Sequence, residues 1–303
     1  MADLTTNLAP LTLKNPIMPA SGTFGYGDDL PDFVDISEFG GMVTKSLTGT
    51  PREGNAPPRI VETSSGMLNS IGLANIGVEK FIEEKLPVVR NKGTILIVNI
   101  AGSKMSEYCR VMELLEAESG VDGYEINVSC PNVKEGGMEF GVSEKHMKML
   151  IRELRDITDK PIITKLSPNV TSIQAMAEAA VEAGTDILSL INTLVGARID
   201  IEKQRPVLST IFGGLSGPAI KPVAVAQVFK VYEAVDVPII GIGGIANAGD
   251  VLEYLMAGAS AVEIGTMNYR DPGLGPKLLP EIASWLDEQG FESISEIIGI
   301  AHE

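Results

Sequence analysis

The feature that most constrains the fold of this chain is the regular return of short apolar runs rich in β-branched residues. Eight such runs occupy residues 16–20, 41–46, 94–100, 123–129, 161–167, 186–192, 238–244 and 261–266. Strands that alternate with helices form parallel βαβ units. Because no break in composition divides them, the eight units predict a single (β/α)8 TIM barrel over residues 1–303. A doubly wound open sheet with fewer strands is the alternative.

Helical patterns separate several of these runs. The predicted helices span residues 143–158, 171–184, 218–235 and 247–258. Ser143 is a candidate N-cap, and Gly184 and Gly258 are residues of the kind that end helices. These stretches supply the crossovers that parallel strands require.

Three connections are longer than a simple crossover needs. They span residues 46–78, 129–142 and 193–217, and each follows a predicted strand. Long structured loops on one end of a scaffold are usually functional. In a barrel that end is the C-terminal face, where active sites lie, so the three loops predict long functional loops there.

Polar residues interrupt the inward faces of four predicted strands. They are Lys45, Asn99, Asn127 and Lys165. Strand side chains alternate between two faces, so these residues share a face with apolar neighbours two positions away. An internal salt bridge from a lysine to Glu125 or Glu263 would satisfy one buried lysine. Two lysines with two asparagines favour a polar ligand at the top of the barrel.

Glycine-rich segments follow the last two strands. Residues 241–250 read "GIGGIANAGD", and "EIGT" ends the eighth strand. Glycines allow backbone N–H groups to approach a phosphate, and barrel enzymes commonly bind phosphate with these two loops. A Rossmann fingerprint of Gly241, Gly243 and Ala246 with Glu263 as the ribose ligand is the alternative. Its late position in the chain favours the barrel phosphate site.

Composition excludes several classes of partner. The chain has 24 basic and 40 acidic residues, a net charge of −16 that repels nucleic acid. The N-terminal "MADLTTNLAP" lacks the basic and apolar regions of a signal peptide. No apolar run reaches the ~18 residues of a membrane span. Two free cysteines suit a reducing compartment, so a cytoplasmic protein without membrane contact is predicted.

The candidates for proton transfer are few. His146 and His302 lie far from every motif, so neither a Ser-His-Asp triad nor a histidine metal site is predicted. Cys109, within a helical pattern, fits the common role of a small buried thiol. Cys130 directly follows a strand on the predicted functional end, and Pro131 prevents a simple continuation of that strand. This setting predicts a reactive thiol at Cys130.

The motifs together resemble one family. "INVSCPN", "MLNSIGL", "TKLSPN", "LINT", "GIGGI" and "EIGT" are similar to motifs of the dihydroorotate dehydrogenases, over nearly the whole chain. The stretch "CPNVKEGGMEFG" resembles the NAD-linked B form of the cysteine-containing class 1 enzymes. The quinone-linked class has a serine base and an N-terminal extension, and this chain shows neither. The fumarate-linked class 1 form is the alternative within the family.

This resemblance implies a reaction and a set of site residues. It implies oxidation of dihydroorotate to orotate in pyrimidine biosynthesis, with Cys130 taking the C5 proton and FMN accepting hydride from C6. The implied FMN contacts are Ser21, Lys45, Ser46, Asn99, Asn127, Lys165, Ile191, Gly217, Gly243, Gly244, Gly265 and Thr266. The implied substrate contacts are Lys45, Asn69, Ser70, Ile71, Gly72, Leu73, Asn127, Asn132, Asn192 and Thr193.

The resemblance also implies a partner. In the NAD-linked form, a second chain carries FAD and a [2Fe–2S] cluster and reduces NAD, in a heterotetramer built on a homodimer of catalytic chains. A cluster of this kind needs four thiolates, and this chain has two cysteines. No metal site is therefore predicted here. Two other functions remain open at this point: a Schiff-base barrel lyase using Lys165 and a non-catalytic phosphate-binding subunit.

Overall fold

A parallel sheet forms the centre of the protein. The computed structural model describes residues 1–129 and 140–303, and within them eight parallel strands form one sheet. The strands are β1 (Ile17–Pro19), β2 (Gly41–Val43), β3 (Ile95–Ile100), β4 (Gly123–Asn127), β5 (Ile162–Lys165), β6 (Ile187–Leu190), β7 (Ile239–Ile242) and β8 (Ala261–Ile264). Their order is β1-β8-β7-β6-β5-β4-β3-β2. Gly40 N donates to Ile17 O at 3.0 Å across the remaining gap, which nearly closes the barrel.

Helices follow β2 to β8 and surround this barrel. They are Val78–Lys80, Phe81–Lys85 (a π-helical turn), Leu86–Val89, Met105–Glu116, Glu144–Arg155, Ile173–Glu182, Lys221–Tyr232, Ala248–Met256 and Leu274–Gln289. Ser143 accepts a hydrogen bond from His146 N and is the N-cap that its position predicts. After β1 the crossover contains only the 3₁₀ turn Ile36–Glu38. The eight predicted strands are confirmed, and the doubly wound alternative is wrong.

The apolar core has two parts, one outside the barrel wall and one inside it. The outer part lies between the strands and the surrounding helices. The inner part includes Val43, Ile97, Ile163, Ile187 and Ile240, all fully buried. Because side chains two positions apart share a face, Lys45, Asn99 and Lys165 lie on the inner side, as the sequence predicts. A hairpin formed by Thr6–Leu8 and Leu11–Leu13 contributes its leucines to the inner part.

A second, antiparallel sheet lies over the C-terminal face. It consists of Leu194–Ala197, Phe212–Ser216, Gly66–Asn69 and Ile60–Thr63, in that order, and is called the cover sheet below. Two of its strands come from the loop after β2 and two from the loop after β6. A short pair, Ile199–Asp200 with Arg205–Pro206, extends the second of these loops. Residues 46–78 and 193–217 are therefore structured loops on the predicted face.

No helix in the described ranges is both long and apolar enough to cross a bilayer.

Candidate active site

A cavity lies between the C-terminal ends of the barrel strands and the cover sheet. Its volume is about 250 Å³, within a cleft whose open space is about 1240 Å³. Most of the residues predicted from the sequence as ligand contacts line it. They are Ser21, Lys45, Ser46, Asn69, Ile71, Leu73, Asn127, Lys165, Ile191, Asn192, Thr193, Gly217, Gly243, Gly244, Gly265 and Thr266. The strand ends and the two long loops thus bring together residues up to 245 positions apart in the chain.

Three predicted contacts lie outside the cavity lining. Asn99 is fully buried and donates from Nδ2 to Glu125 Oε1 at 2.5 Å. The Ser70 hydroxyl accepts a hydrogen bond from Asn55 Nδ2 at 2.9 Å. Gly72 packs against the same asparagine, because a Cβ added to Gly72 would lie 2.6 Å from the backbone N of Asn55. Ser70 and Gly72 therefore shape the loop that carries Asn69, Ile71 and Leu73. Their predicted contacts with substrate stay predictions.

Strand β4 ends at this cavity, and the predicted base, Cys130, follows it in the sequence. Cys130 and Asn132 lie outside the described residues, so their roles stay predictions. Ser129 N donates to the side chain of the cavity-lining Asn127 at 3.2 Å. Gly141 packs against the backbone of Val128, where a Cβ would lie 2.6 Å from the carbonyl oxygen. Ser129 and Gly141 therefore both lie beside the end of β4.

Cys109 occupies a different environment. It lies half-buried in the helix Met105–Glu116, packed against the outer part of the core. Burial, with the nearby charges of Glu153 and Glu113, raises the pKa of the Cys109 thiol. A raised pKa lowers the thiolate fraction that reactivity requires. The structure therefore supports the inert role that the sequence predicts for this cysteine.

Lys165 lies at the floor of the cavity between two acidic residues. Its Nζ is 3.1 Å from Glu125 Oε1 and 3.1 Å from Glu263 Oε2. Burial lowers the pKa of Lys165, but the two neighbouring carboxylates outweigh burial and the net shift is upward. A Schiff-base lysine needs a neutral amine, so this environment argues against the lyase alternative. The internal salt bridge is present, and the same lysine also faces the cavity.

The Rossmann alternative for the glycine-rich segment is wrong. Glu263 would have to face a ribose in that fold, yet here it is fully buried inside the barrel and bonded to Lys165. The segment follows β7 of a barrel rather than the first strand of an open sheet.

Lys45 is the second cation of the site. It lines the cavity, and no acidic side chain in the described ranges forms an ion pair with it. Desolvation, together with the charge of Arg59, lowers the pKa of Lys45. Arg59 itself donates to the backbone carbonyls of Asn55 and Glu53, the latter at 2.9 Å. Two cations without a carboxylate partner in the described ranges favour an anionic group in the cavity.

Three asparagine side chains, Asn69, Asn127 and Asn192, line the part of the cavity called the asparagine wall below. Asn192 Nδ2 donates to Asn127 Oδ1 at 3.4 Å, and Asn69 Nδ2 donates to Gly214 O at 3.4 Å. An amide side chain has two donors and an acceptor with two lone pairs. Asn192 Oδ1 also accepts from Thr193 N at 2.7 Å, and Asn127 Oδ1 from Ser129 N at 3.2 Å. It is therefore mainly the amide N–H donors that are available to a ligand. The wall therefore complements a small polar ring that carries amide and carboxylate groups.

The glycine-rich loops after β7 and β8, together with Gly217, line the part of the cavity called the glycine wall below. Gly243 and Gly244 have φ values of 135° and 74°, a region that residues with a side chain rarely adopt. A Cβ on Gly244 would also lie 2.8 Å from Gly217 O. Thr266 donates to the hydroxyl of Ser216 at 2.7 Å and so ties the loop after β8 to the cover sheet. The absence of side chains leaves the backbone open to a phosphate.

Sequence reasoning missed part of the lining. Met67, Ser216 and Tyr269 line the cavity, and the Tyr269 hydroxyl donates to Gly22 O at 3.1 Å. Ser216 directly precedes Gly217 in "GGLSG", a signal that could have found it. Met67 gave no signal because its orientation depends on the cover sheet.

These features define an α/β barrel of the enzyme class that carries a polar, glycine-lined cavity at the carboxyl ends of its strands. The chain belongs to the dihydroorotate dehydrogenase family, whose family model, described as "Dihydroorotate dehydrogenase", matches residues 3–286.

Curated relatives match almost the full chain. The chain is 49% identical over 297 residues to dihydroorotate dehydrogenase B (NAD(+)), catalytic subunit, of Geotalea uraniireducens (strain Rf4), covering 98% of this chain and 97% of that protein. The protein of the same name from Pelobacter propionicus (strain DSM 2379 / NBRC 103807 / OttBd1) is 50% identical over 297 residues, with 98% of each chain covered. That of Bacteroides thetaiotaomicron is 48% identical over 299 residues, with 99% of each covered.

A solved structure supports the fold. A crystal structure of DHODH in complex with ferulenol from Eimeria tenella matches with a TM-score of 0.82 and 24% identity, covering 99% of this chain and 89% of that chain. At this identity the match shows the barrel fold alone.

Proposed function

We propose that this chain is the catalytic subunit of an NAD-linked, class 1 B-form dihydroorotate dehydrogenase, which oxidises dihydroorotate to orotate in pyrimidine biosynthesis. The observation that carries the proposal is one cavity lined by Lys45, the asparagine wall and the positive-φ glycines of the glycine wall. Near-full-length identity of about half to relatives with this name supports it. In this proposal residues 1–303 act as a single cytoplasmic domain.

FMN is the proposed resident cofactor, and the residues present fit it. The glycine wall, with Gly217, Gly243, Gly244, Gly265 and Thr266, would hold the phosphate. Lys165 at the cavity floor would face the ring system as a charged donor. The other proposed contacts are Ser21, Lys45, Ser46, Asn99, Asn127 and Ile191. When bound, FMN supplies a hydride acceptor.

The proposed substrate site lies on the asparagine wall. Lys45 and the charge of Arg59 favour the carboxylate of dihydroorotate, and the amide side chains would hold its ring amides. The proposed contacts are Lys45, Asn69, Ser70, Ile71, Gly72, Leu73, Asn127, Asn132, Asn192 and Thr193. Cys130, one residue beyond the Ser129 that binds Asn127, would accept the C5 proton on its sulfur. This assignment needs no histidine.

A partner would complete electron transfer to NAD. In the described residues, no group of three or more His, Cys, Asp or Glu side chains could hold a metal ion. The two cysteines of the whole chain are too few for a cysteinyl cluster. We therefore assign FAD and a [2Fe–2S] cluster to a separate electron-transfer subunit, in a heterotetramer built on a homodimer of this chain.

The purified chain is expected to contain FMN bound non-covalently, at about one per chain. Acid-released flavin, identified by chromatography, checks this. Gly244→Ala should weaken FMN binding by about tenfold or more, because the added methyl group forces the cradle to shift. Gly249→Ala, in the helix that follows, is the matched control and should bind as wild type does. Release of FAD, or failure to bind FMN after reconstitution, would contradict the proposal.

The chain alone is expected to reduce its flavin with dihydroorotate but to pass electrons poorly to NAD. Anaerobic bleaching of the flavin spectrum measures the first step, and formation of NADH measures the second. Addition of an electron-transfer subunit from a B-form enzyme should restore NADH formation. Rapid reduction of NAD without any partner would disprove the division between two subunits. Rapid turnover with fumarate would favour the fumarate-linked form.

A further inference from the structure

Two carboxyl groups share one lysine inside the barrel. Glu125 on β4 and Glu263 on β8 are both fully buried, and Lys165 on β5 is 6% exposed. The Lys165 ammonium lies 3.1 Å from an oxygen of each. If all three groups were ionised, the cluster would carry a buried net charge of −1. Because an unpaired buried charge is very costly, one carboxyl group is expected to keep its proton.

The hydrogen-bond donors around the two carboxyl groups are unequal. Besides Lys165, Glu125 accepts from the Ser189 hydroxyl at 2.9 Å and from Asn99 Nδ2 at 2.5 Å. Glu263 accepts from Lys165, and its Oε1 has no partner in the described part of the chain. Hydrogen bonds to a carboxylate favour its ionised form. Glu125 is therefore the ionised member, and Glu263 is the one that holds the proton.

The neighbours of Glu263 also favour its protonated form. Its strand pairs in register with Ile242 on β7 and with Met18 on β1, and both neighbours are apolar. In the described ranges, the titratable groups that face Glu263 are therefore Lys165 and Glu125. Burial and the Glu125 charge raise the pKa of Glu263 well above its usual range, although Lys165 opposes the shift. For Glu125, burial opposes ionisation, but Lys165 and the other donors outweigh burial and lower the pKa.

We propose that Glu263 is a positioning residue that keeps its proton at neutral pH because the nearby Glu125 carries the negative charge that balances Lys165. Lys165 then remains fully charged in a cluster with no net charge. An ammonium group has three N–H donors. One N–H can serve both oxygens of Glu125, at 3.1 and 3.4 Å, and a second serves Glu263 Oε2, so the third is available to a ligand in the cavity that Lys165 lines. Ionisation of Glu263 would make the cavity floor negative and weaken the binding of an anionic ligand.

Infrared spectroscopy of the apo chain tests the location of the proton. With ¹³C-labelled glutamate, the wild type should show the C=O band of a protonated glutamic acid at neutral pH. This band should disappear in Glu263→Gln. It should persist in the control Glu116→Gln, whose carboxyl group is a quarter exposed and pairs with Lys160 outside the barrel. Absence of the band from wild type, or its persistence in Glu263→Gln, would overturn the proposal.

A second variant tests whether Glu125 sets the protonation state of Glu263. In Glu125→Gln, Glu263 becomes the sole counterion of Lys165 and should ionise, so the band should disappear there too. Its persistence would contradict the proposal, because Glu263 would then stay protonated without the charge of Glu125. Circular dichroism checks that each variant is folded. Because the wild-type band alone can refute the proposal, a variant that fails to fold leaves the test intact.

FMN affinity across pH tests the effect on the cavity, and this arm rests on the proposed function. At neutral pH, Glu263→Gln should bind FMN within about threefold of wild type, because glutamine imitates the neutral acid. Wild-type affinity should fall as rising pH ionises Glu263, whereas that of Glu263→Gln should not. Parallel pH curves would overturn the positioning role. If neither protein bound FMN while the infrared band behaved as expected, the cofactor assignment would fail and the proton assignment would stand.

Discussion

Cys130→Ala is expected to slow reduction of the flavin by dihydroorotate by about 10²–10⁴-fold, the usual contribution of a positioned base. Removal of hydride from C6 requires loss of the neighbouring C5 proton, and neither histidine lines the cavity. His302 stacks on Phe229, with ring centroids 3.7 Å apart, and His146 lies in the helix Glu144–Arg155. Because an unperturbed thiol has a pKa of about 8.5, the reduction rate should rise with pH through its ionisation and then level off.

Stopped-flow bleaching of the flavin across pH measures this effect. FMN content and orotate affinity should change far less than the rate, because Asn127 and the glycine loops are unaltered. The matched control is Cys109→Ala, which removes a half-buried thiol packed against the outer part of the core, away from the cavity, and should leave the chemistry intact. A wild-type reduction rate in Cys130→Ala would show that this thiol has only a structural role.

Lys165→Met is expected to destabilise the protein by about 3–5 kcal/mol at neutral pH, the range measured when one partner of a buried ion pair is removed. Methionine fills a similar volume but leaves Glu125 and Glu263 without their shared cation. The control is Lys160→Met, which removes an ion pair with Glu116 at 3.2 Å whose members are 29% and 25% exposed. That change should cost only about 0–1 kcal/mol, as exposed ion pairs do.

The pH dependence of this loss has a definite sign. The folded-state pKa of Lys165 is raised, so its contribution to stability is complete below the unfolded value of 10.5 and falls at higher pH. The folded-state pKa of Glu125 is lowered, so its contribution is present above 4.5 and disappears in acid. The difference between wild type and Lys165→Met should therefore be largest between these limits. Denaturant unfolding at several pH values measures it, and a loss that is independent of pH would argue against the ion pair.

The barrel was predictable because its signals are local. Each strand buried on both faces reads as a continuous apolar run, and a polar residue two positions after an inward apolar one identifies the end of the strand at the cavity. Val43 and Lys45, and likewise Ile163 and Lys165, follow this rule, and all four lie on the inner side. Gly243 and Gly244 were also readable, because their positive φ angles exclude most other residues.

The parts that escaped prediction depend on contacts between distant segments. The cover sheet pairs Gly214 with Asn69 and Ser216 with Met67, and neither loop has a strand-like pattern long enough to reveal it. Ser70 and Gly72 lie outside the cavity lining because of this pairing and of their contacts with Asn55. The sequence pattern therefore did not reveal that they are excluded from it. The missing helix after β1 had no signal, since its place is taken by the short turn Ile36–Glu38.

The cover sheet also has a consequence for the order of folding. Its central strands, Gly66–Asn69 and Phe212–Ser216, are separated by about 140 residues of chain, so we expect them to pair only after the strands between them have assembled. Closing so long a loop is entropically costly, and contacts of this kind form late and slowly. Ligand uptake should therefore be the last event of refolding. A cofactor enclosed there binds only the native state, so its loss should lower the melting temperature of the whole chain.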